Sequence, residues 1–483
     1  MLTDKQIEAA YNQIRWRIDK VNADYLQRVG EQIKAIGKLN PTSINRLAQM
    51  RRYGANTRKI KRELEKALKV SAQNVQRLLE RAAREEYAGV DFLAVERGRR
   101  VVPLEFNYSL QQYIQALAAQ TESRFLNYSN TTNIDTAYQE AVSDAIDAVS
   151  RGVTDYNSAI RSSMRKLGGD GLRVTYESGV TRRLDTAIRQ NILDGTKQIA
   201  QEAQRLIGEQ IGADGVELSA HPYSALDHEP AQGRQYSLAE YQKMQAGQGF
   251  RDVDGNSYAG FRRPIAEWNC RHFASYIILG VSPRRYTDEQ LRQWREANHR
   301  GCEIDGRHYT IYQASQLMRK LETKVRQQKD IASLAKASGD NALRREAQAN
   351  IRDLKAKYAE AAEKAGLRQR TDKMIVESYQ APPPLKNAAG KTIIEVKHTT
   401  LVGEPGTITQ FTAGGGGIDR NYYGADGKQI KQITNHNHGN SKKHPYGKHG
   451  EHAHDYLYDE QGRLKRTLRE LTDDERKENE DIL

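Results

Sequence analysis

Apolar residues recur at helical spacing near the start of the chain, from Ile7 to Ile33, with polar residues between them. Thr3 and Gln6 stand just before this run at the spacing of a capping box. The pattern predicts a long opening helix that Pro41 ends, because proline cannot continue a helix. Shorter amphipathic segments follow, so residues 1–210 are expected to be mostly helical.

The pattern changes over residues 212–312, where turns, aromatic residues and short apolar pieces alternate. Asp254 and Gly255 are typical of a hairpin turn, and the segment predicts a small α+β domain. The helical period then returns from Ala314 to Leu367 in two arms that would turn at Gly339. Two such arms predict an antiparallel helical hairpin or a short coiled coil.

A proline-led stretch, "APPPLKNAAGK" at residues 381–391, separates this hairpin from the end of the chain. Three consecutive prolines stiffen the backbone, so we interpret the stretch as a linker. Beyond it, alternating apolar and polar positions with turns near Gly427 and Gly462 indicate several strands. Thr472 is expected to cap a final short helix.

The whole pattern predicts an α+β protein that is predominantly α. The expected domains are an N-terminal helical region (1–130), a helical plus α+β core (131–312), a helical hairpin or coiled coil (313–380), the linker (381–391) and a histidine-rich β-hairpin module (392–483).

The charge of the chain points towards anionic partners. Its 75 Lys and Arg exceed its 62 Asp and Glu, giving a net charge of +13, which favours phosphate polymers without identifying one. One basic stretch could contact nucleic acid, either non-specifically or as a helix-turn-helix of a DNA-binding regulator. An ordinary solvated helix is the alternative, because Glu63 and Glu65 interleave with the bases. The basic residues are Arg51, Arg52, Arg58, Lys59, Lys61 and Arg62.

Two further features restrict where the protein is expected to act. Its two cysteines cannot build a disulfide framework, which favours a reducing interior. The opening "MLTDKQIEAAYNQI" lacks the pattern of a signal peptide, and the longest apolar run, residues 273–281, is too short for a membrane span.

The stretch "NHNHGNSKKHPYGKHGEHAHD" holds six of the twelve histidines. His449, His452 and His454 are close enough along the chain to converge on one metal ion. The module has no cysteine and no HExxH pattern, so a polar, turn-rich loop stays an open alternative. Neighbouring lysines leave open a third interpretation, a metal-dependent nuclease or toxin domain.

A second constellation lies in the middle of the chain. His221 and His228 form one pair of potential ligands, Cys270 and His272 form another, and together they could hold one zinc ion. A hydrogen-bonded structural cluster without metal is the alternative, as is a cysteine nucleophile with a histidine base. No cofactor is required by the sequence, and zinc is the metal that such ligands suggest.

Several motifs in order carry a family resemblance. They are "YESGVTRRLDTAIR" from Tyr176 to Arg189, "SAHPYSALDHEPAQG" from Ser219 to Gly233, and "NCRHFASYIILG" from Asn269 to Gly280. Together they resemble the phage minor capsid protein 2 family, relatives of the MuF-type head morphogenesis proteins, over residues 132–286. The chain departs from the family where an Ala-Arg-Pro usually precedes the second histidine, so no role is carried over for that arginine.

The resemblance implies a structural minor head protein without enzymatic activity, present in more than one copy in the phage head interior. It implies the portal protein and the major capsid protein as partners, non-specific contact with DNA, and a role in head assembly, DNA packaging or delivery. Before assembly the protein would reside in the bacterial cytoplasm. The C-terminal module lies outside the resemblance, and a head-targeted nuclease or toxin remains the alternative for it.

Overall fold

A computed structural model describes residues 4–36, 57–88, 101–134, 136–151, 153–261, 263–265, 270–376, 379, 385–396, 398–413, 417–459 and 461–483. The chain forms two compact units, Met1–Gly339 with Lys357–Ser378 and Asp340–Ala356 with Tyr379–Leu483. Helices dominate the first unit and a sheet dominates the second, which confirms the predicted fold class. The predicted domain limits stay predictions, and residues 381–384 of the linker lie outside the described ranges.

The α-helices are α1 Asp4–Ile36, α2 Thr57–Ala88, α3 Tyr108–Thr131, α4 Ala137–Ser150, α5 Tyr156–Asp170, α6 Leu184–Ile211, α7 Leu238–Gln245, α8 Asp288–Arg300, α9 Ile311–Ser338, α10 Asn341–Lys364 and α11 Asp473–Glu478. Two 3-10 helices span Leu104–Phe106 and Thr371–Met374. The strands are β1 Arg173–Thr175, β2 Thr181–Arg183, β3 Gly215–Leu218, β4 Gln235–Ser237, β5 Phe250–Arg251, β6 Ser257–Tyr258, β7 Ala274–Ile277, β8 Cys302–Ile304, β9 Arg307–Tyr309, β10 Leu385–Lys386, β11 Thr392–Val396, β12 Ile408–Thr412, β13 Ile418–Tyr423, β14 Gln429–Thr434, β15 His452–Tyr458 and β16 Leu464–Arg469.

The opening helix is confirmed, although Thr3 and Pro41 lie outside the described residues. Its apolar stripe is buried: Ile7, Tyr11, Ile14, Ile18, Val21, Tyr25, Val29 and Ile33. Through this stripe α1 packs against α2, α6 and α9, while α5 packs against α4 and α9. The helical period therefore determined which face of α1 enters the core.

Two glycines allow the helices of the first unit to approach closely. A Cβ added to Gly30 in α1 would stand 2.5 Å from the Cβ of Ala337, and one added to Gly168 in α5 would stand 2.7 Å from the Cα of Ile331. Both neighbours belong to α9. This helix consequently passes α1 and α5 at distances that a larger side chain would prevent.

Charged side chains are buried where α6 begins beside α9. Arg183 donates to Asp330 at 2.8 Å, and Arg326 pairs with Asp185. Burial alone would raise the pKa of Asp185, but the guanidinium groups of Arg326 and Arg183 hold it at about 2. Asn22 of α1 also donates to Asp330, at 3.2 Å. These compensated charges connect three helices in the interior.

The middle of the first unit contains a three-stranded antiparallel sheet in the order β4-β3-β7. The strands β5 and β6 form a separate antiparallel pair next to it in sequence. Gly255 lies between them with a φ of 87°, which glycine adopts readily, so the predicted hairpin is confirmed.

The second unit contains a seven-stranded sheet in the order β10-β11-β12-β13-β14-β15-β16. The pair β11 and β12 is parallel, and the other neighbours are antiparallel. The predicted last helix is confirmed as α11, with a capping box between Thr472 and Glu475. The core of this unit consists of Ile393, Ile408, Tyr422, Ile433, Ala453 and Leu471.

Within the described ranges, none of the helices combines the length and apolar character that a membrane crossing requires.

Candidate metal centre

The three-stranded sheet brings distant segments of the chain to one end. β3 ends at Leu218, which pairs with Ala274 at the start of β7, and Glu217 pairs with Gln235 at the start of β4. The segment between β3 and β4 therefore meets the segment that leads into β7. The side chains that meet there are His221, His228, Cys270 and His272, the four residues predicted from the sequence.

Three of these residues form a compact group. The Sγ of Cys270 lies 3.5 Å from Nδ1 of His228 and 3.4 Å from Nδ1 of His272. All three side chains are buried. Zinc bonds of about 2.3 Å to sulfur and 2.0–2.1 Å to nitrogen, at a tetrahedral angle, would place sulfur and nitrogen roughly 3.5 Å apart. The observed distances match that spacing.

The outer nitrogen of each imidazole faces an oxygen atom. Nε2 of His228 lies 2.8 Å from the backbone oxygen of Arg263, and Nε2 of His272 lies 3.2 Å from Oε1 of Gln232. The same Oε1 accepts from the backbone N–H of His221, which supports its assignment as the amide oxygen. Each Nε2 therefore donates, and in the neutral ring Nδ1 offers its lone pair towards Cys270.

The electrostatics favour a thiolate at Cys270. Burial by itself would raise its pKa, but hydrogen bonding to His228 and His272 lowers it to about 4. Burial would lower the pKa of His228, whereas the same contact with Cys270 raises it. The thiolate is the form of cysteine that binds a metal, so these contacts prepare Cys270 to act as a ligand. The pair also satisfies what a cysteine nucleophile needs, so the geometry accommodates both hypotheses.

His221 borders this group without completing it. Its ring stacks on that of His272 with 4.7 Å between centroids. Its Nε2 is buried and has no hydrogen-bond partner among the described residues. Burial lowers the pKa of His221 to about 4, so the ring is neutral at physiological pH. The residues whose ligating atoms all lie within 4.8 Å of one another are His228, Cys270 and His272.

A cavity of about 370 Å³ opens beside the side chains of His228, Cys270 and His272. Burial, and then the neighbouring guanidinium groups of Arg271 and Arg370, lower the pKa of Arg319 to about 10. The wall therefore favours an anionic group next to the centre. Its arginines are Arg263, Arg271, Arg319, Arg368 and Arg370. These arginines are spread over more than a hundred residues of sequence, so no local pattern predicted that they line one cavity.

The predicted nucleic-acid contacts are only partly described. Arg51 and Arg52 lie outside the described residues, as does the side chain of Arg58. Lys59, Lys61 and Arg62 belong to the first turns of α2, where Lys59 lies 4.0 Å from Glu63. Contact with nucleic acid stays a prediction.

The C-terminal histidines form a group that differs from the predicted one. His452 and His454 are brought together, as expected, but their third partner within 4.8 Å is His438. His449 is not a member of that group; its backbone N–H donates to Glu451 at 2.8 Å. His438 stands in the same histidine-rich stretch of the sequence, but spacing along the chain could not show that it, rather than His449, joins His452 and His454.

The residues that carry the family resemblance now have structural roles. Gln232 bridges His221 and His272, and Ser219 exchanges two hydrogen bonds with Phe273, at 2.7 and 2.8 Å. Arg183 belongs to the buried ion pairs described above. Asn269 lies outside the described residues. The motifs thus combine the buried charge network with the Cys–His centre.

The sequence model of the family described as "Phage minor capsid protein 2" matches residues 2–360. The chain belongs to this family and is a structural protein of the phage virion. The match extends the resemblance over the whole helical body and stops before the histidine-rich module. No match was found among curated proteins or among solved structures.

Proposed function

We propose that the protein is a minor head component held inside the capsid near the portal, where it assists head assembly, DNA packaging or DNA delivery. The family match over residues 2–360 carries this proposal, because it spans both the helical body and the Cys–His centre. The excess of basic residues, 75 against 62 acidic ones, suits contact with packaged DNA. The expected partners are the portal protein, the major capsid protein and non-specific DNA.

Protease protection of purified phage particles tests this location. Peptides of the chain are expected to survive in intact particles and to be lost once the heads are opened, whereas an exposed tail protein should be lost in both samples. Cross-linking before digestion should join the chain to the portal protein. Particles that assemble and package DNA without containing this chain would contradict the proposal.

In this role the central Cys–His centre holds one zinc ion through His228, Cys270 and His272. The support is the ligand spacing, the burial of all three side chains and the oxygen acceptors that orient both imidazoles. Bound zinc would supply a cross-link between two segments separated by 42 residues. The ion would thereby stabilise one end of a sheet whose strands contain three or four residues.

A metal-dependent nuclease in the C-terminal module is a second candidate function. The group of His438, His452 and His454 favours it, because three imidazoles leave a coordination position for water or substrate. Full-length protein loaded with zinc or nickel is expected to degrade labelled DNA or RNA, and His454→Gln to abolish this, whereas His449→Ala should not. If the nucleic acid stays intact in all these reactions, the nuclease function is wrong, and the proposed head function is unaffected.

A further inference from the structure

The two faces of the sheet in the second unit differ: one carries the apolar core together with the buried Arg420, which pairs with Ile433, and the other carries mainly polar side chains. Ile433 and Ala453 pair across β14 and β15 and point into the apolar core. Their neighbours in each strand point the other way, because side chains alternate along a strand. On this second face Thr434 pairs with His452, and Gln432 pairs with His454.

This polar face is buried. His452 is 0% exposed and His454 is 4% exposed, while Thr434 beside them is 0% exposed. Asp419 of β13 pairs with Thr434 of β14, and its carboxylate accepts a hydrogen bond of 2.7 Å from the hydroxyl of Thr434. Burying so many polar groups is unfavourable unless each of them has a partner.

The loop between β14 and β15 adds more histidines. The ring centroid of His438 lies 5.3 Å from that of His452 and 4.4 Å from that of His436. His444 stacks on His452 with 4.3 Å between centroids. His438 has a φ of 50°, a conformation that few residues other than glycine adopt. The loop thus takes an unfavourable backbone conformation where it carries His438 to this face.

The ligand geometry of the two strand histidines fits a shared ion. Nδ1 of His452 lies 2.7 Å from the backbone oxygen of Gly450 and therefore donates, which leaves the lone pair on Nε2. That Nε2 is 3.1 Å from Nε2 of His454. Two nitrogens bound to one tetrahedral zinc ion would stand roughly 3.3 Å apart.

A hydrogen bond between these two nitrogens would explain the pair by itself. It would not explain why His438 also brings a ligating atom within 4.8 Å of both, or why Asp419 and His436 form a second such group with His438. Nδ1 of His436 and of His444 is also buried without a hydrogen-bond partner among the described residues. These observations together point to a ligand that the protein side chains surround.

We propose that the second unit binds one first-row transition-metal dication, zinc as the first choice, through His438, His452 and His454. Imidazole ligands suit zinc, copper, iron and nickel, and the absence of cysteine from the group separates it chemically from the central centre. Asp419 and His436 border the ion and are placed to supply a fourth ligand or to orient a bound water. The proposal is independent of whether the module hydrolyses anything.

Zinc titration of full-length, metal-stripped protein tests the site. His438→Asn removes the most exposed ligand and keeps a residue that tolerates positive φ, so the fold should persist. This variant is expected to bind one zinc equivalent fewer than the wild type. The matched control His449→Ala, which removes a histidine of the same loop outside the group, should bind as many as the wild type.

Hydrogen exchange measured by mass spectrometry locates the effect. Zinc is expected to slow exchange in peptides covering residues 435–458 of the wild type and of His449→Ala, and to leave these peptides unchanged in His438→Asn. The wild-type measurement does not depend on how any variant folds. If zinc leaves exchange over residues 435–458 unchanged in the wild type, or if His438→Asn retains every equivalent, the proposal is wrong.

Discussion

Replacing Cys270 with serine is expected to remove one zinc equivalent from the full-length protein and to lower the stability of the first unit. Serine keeps the size of the side chain but loses the thiolate, which would be the anionic ligand between His228 and His272. A ligand present at 100 to 1,000 times its dissociation constant stabilises a folded state by about 3 to 4 kcal/mol. Cys270→Ser is expected to lose about that much free energy of unfolding in zinc-containing buffer.

The chain provides its own control and its own probe. Cys302, the other cysteine, lies in β8 outside the ligand group, so Cys302→Ser should keep the zinc and the stability. The chain has three tryptophans and none of them falls in the sequence ranges of the second unit, Asp340–Ala356 and Tyr379–Leu483, so tryptophan fluorescence during denaturation reports on the first unit.

A chelator should make the wild type resemble Cys270→Ser. Cobalt substituted for zinc should give a thiolate charge-transfer band in the wild type and in Cys302→Ser, and none in Cys270→Ser. Equal zinc content and equal stability in the two serine variants would show that Cys270 is a structural thiol or a nucleophile rather than a metal ligand.

Replacing Asp185 with alanine is expected to destabilise the first unit by roughly 3–5 kcal/mol, because it leaves the buried guanidinium of Arg326 without its carboxylate. Arg183 also loses a nearby negative charge, although Asp330 remains 2.8 Å from it. Denaturant unfolding followed by tryptophan fluorescence should show this loss as a lower midpoint.

The surface pair of Lys166 and Asp144 gives the comparison. Their atoms are 2.6 Å apart, but both side chains are about half exposed, at 49% and 62%. Asp144→Ala is therefore expected to change stability by less than about 1 kcal/mol. If Asp185→Ala behaves like Asp144→Ala, the buried ion pairs do not support the fold as described.

This contrast also gives a physical reason for part of the family resemblance. Arg183 and Asp185 stand in the motif from Tyr176 to Arg189, one of those that carry the resemblance. Both side chains are buried and paired within the protein. The cost of an unpaired buried charge, rather than a ligand, explains why the motif holds both residues. Ser219 and Gln232, by comparison, act through the hydrogen bonds that position the Cys–His centre.

Local patterns in the sequence determined much of this protein. The spacing from Ile7 to Ile33 specified the buried face of α1, because a helix repeats every 3.6 residues and needs no distant information. The turn at Gly255 and the capping box at Thr472 are equally local. The order of the motifs was sufficient to predict the family, and the ligand types of His221, His228, Cys270 and His272 were sufficient to predict a metal site or a structural cluster there.

Only the tertiary structure decided which of these side chains meet. Arg183 and Asp330 are 147 positions apart, and no periodic pattern relates them. His452 and His454 share a face because strand alternation places them there, whereas the path of a loop selects His438 over His449. Spacing along a chain limits how far apart two ligands can be, but the direction in which each side chain points depends on strand register and loop geometry. The residue types of both candidate metal centres could therefore be found in the sequence, whereas the fold decided which residues belong to each group.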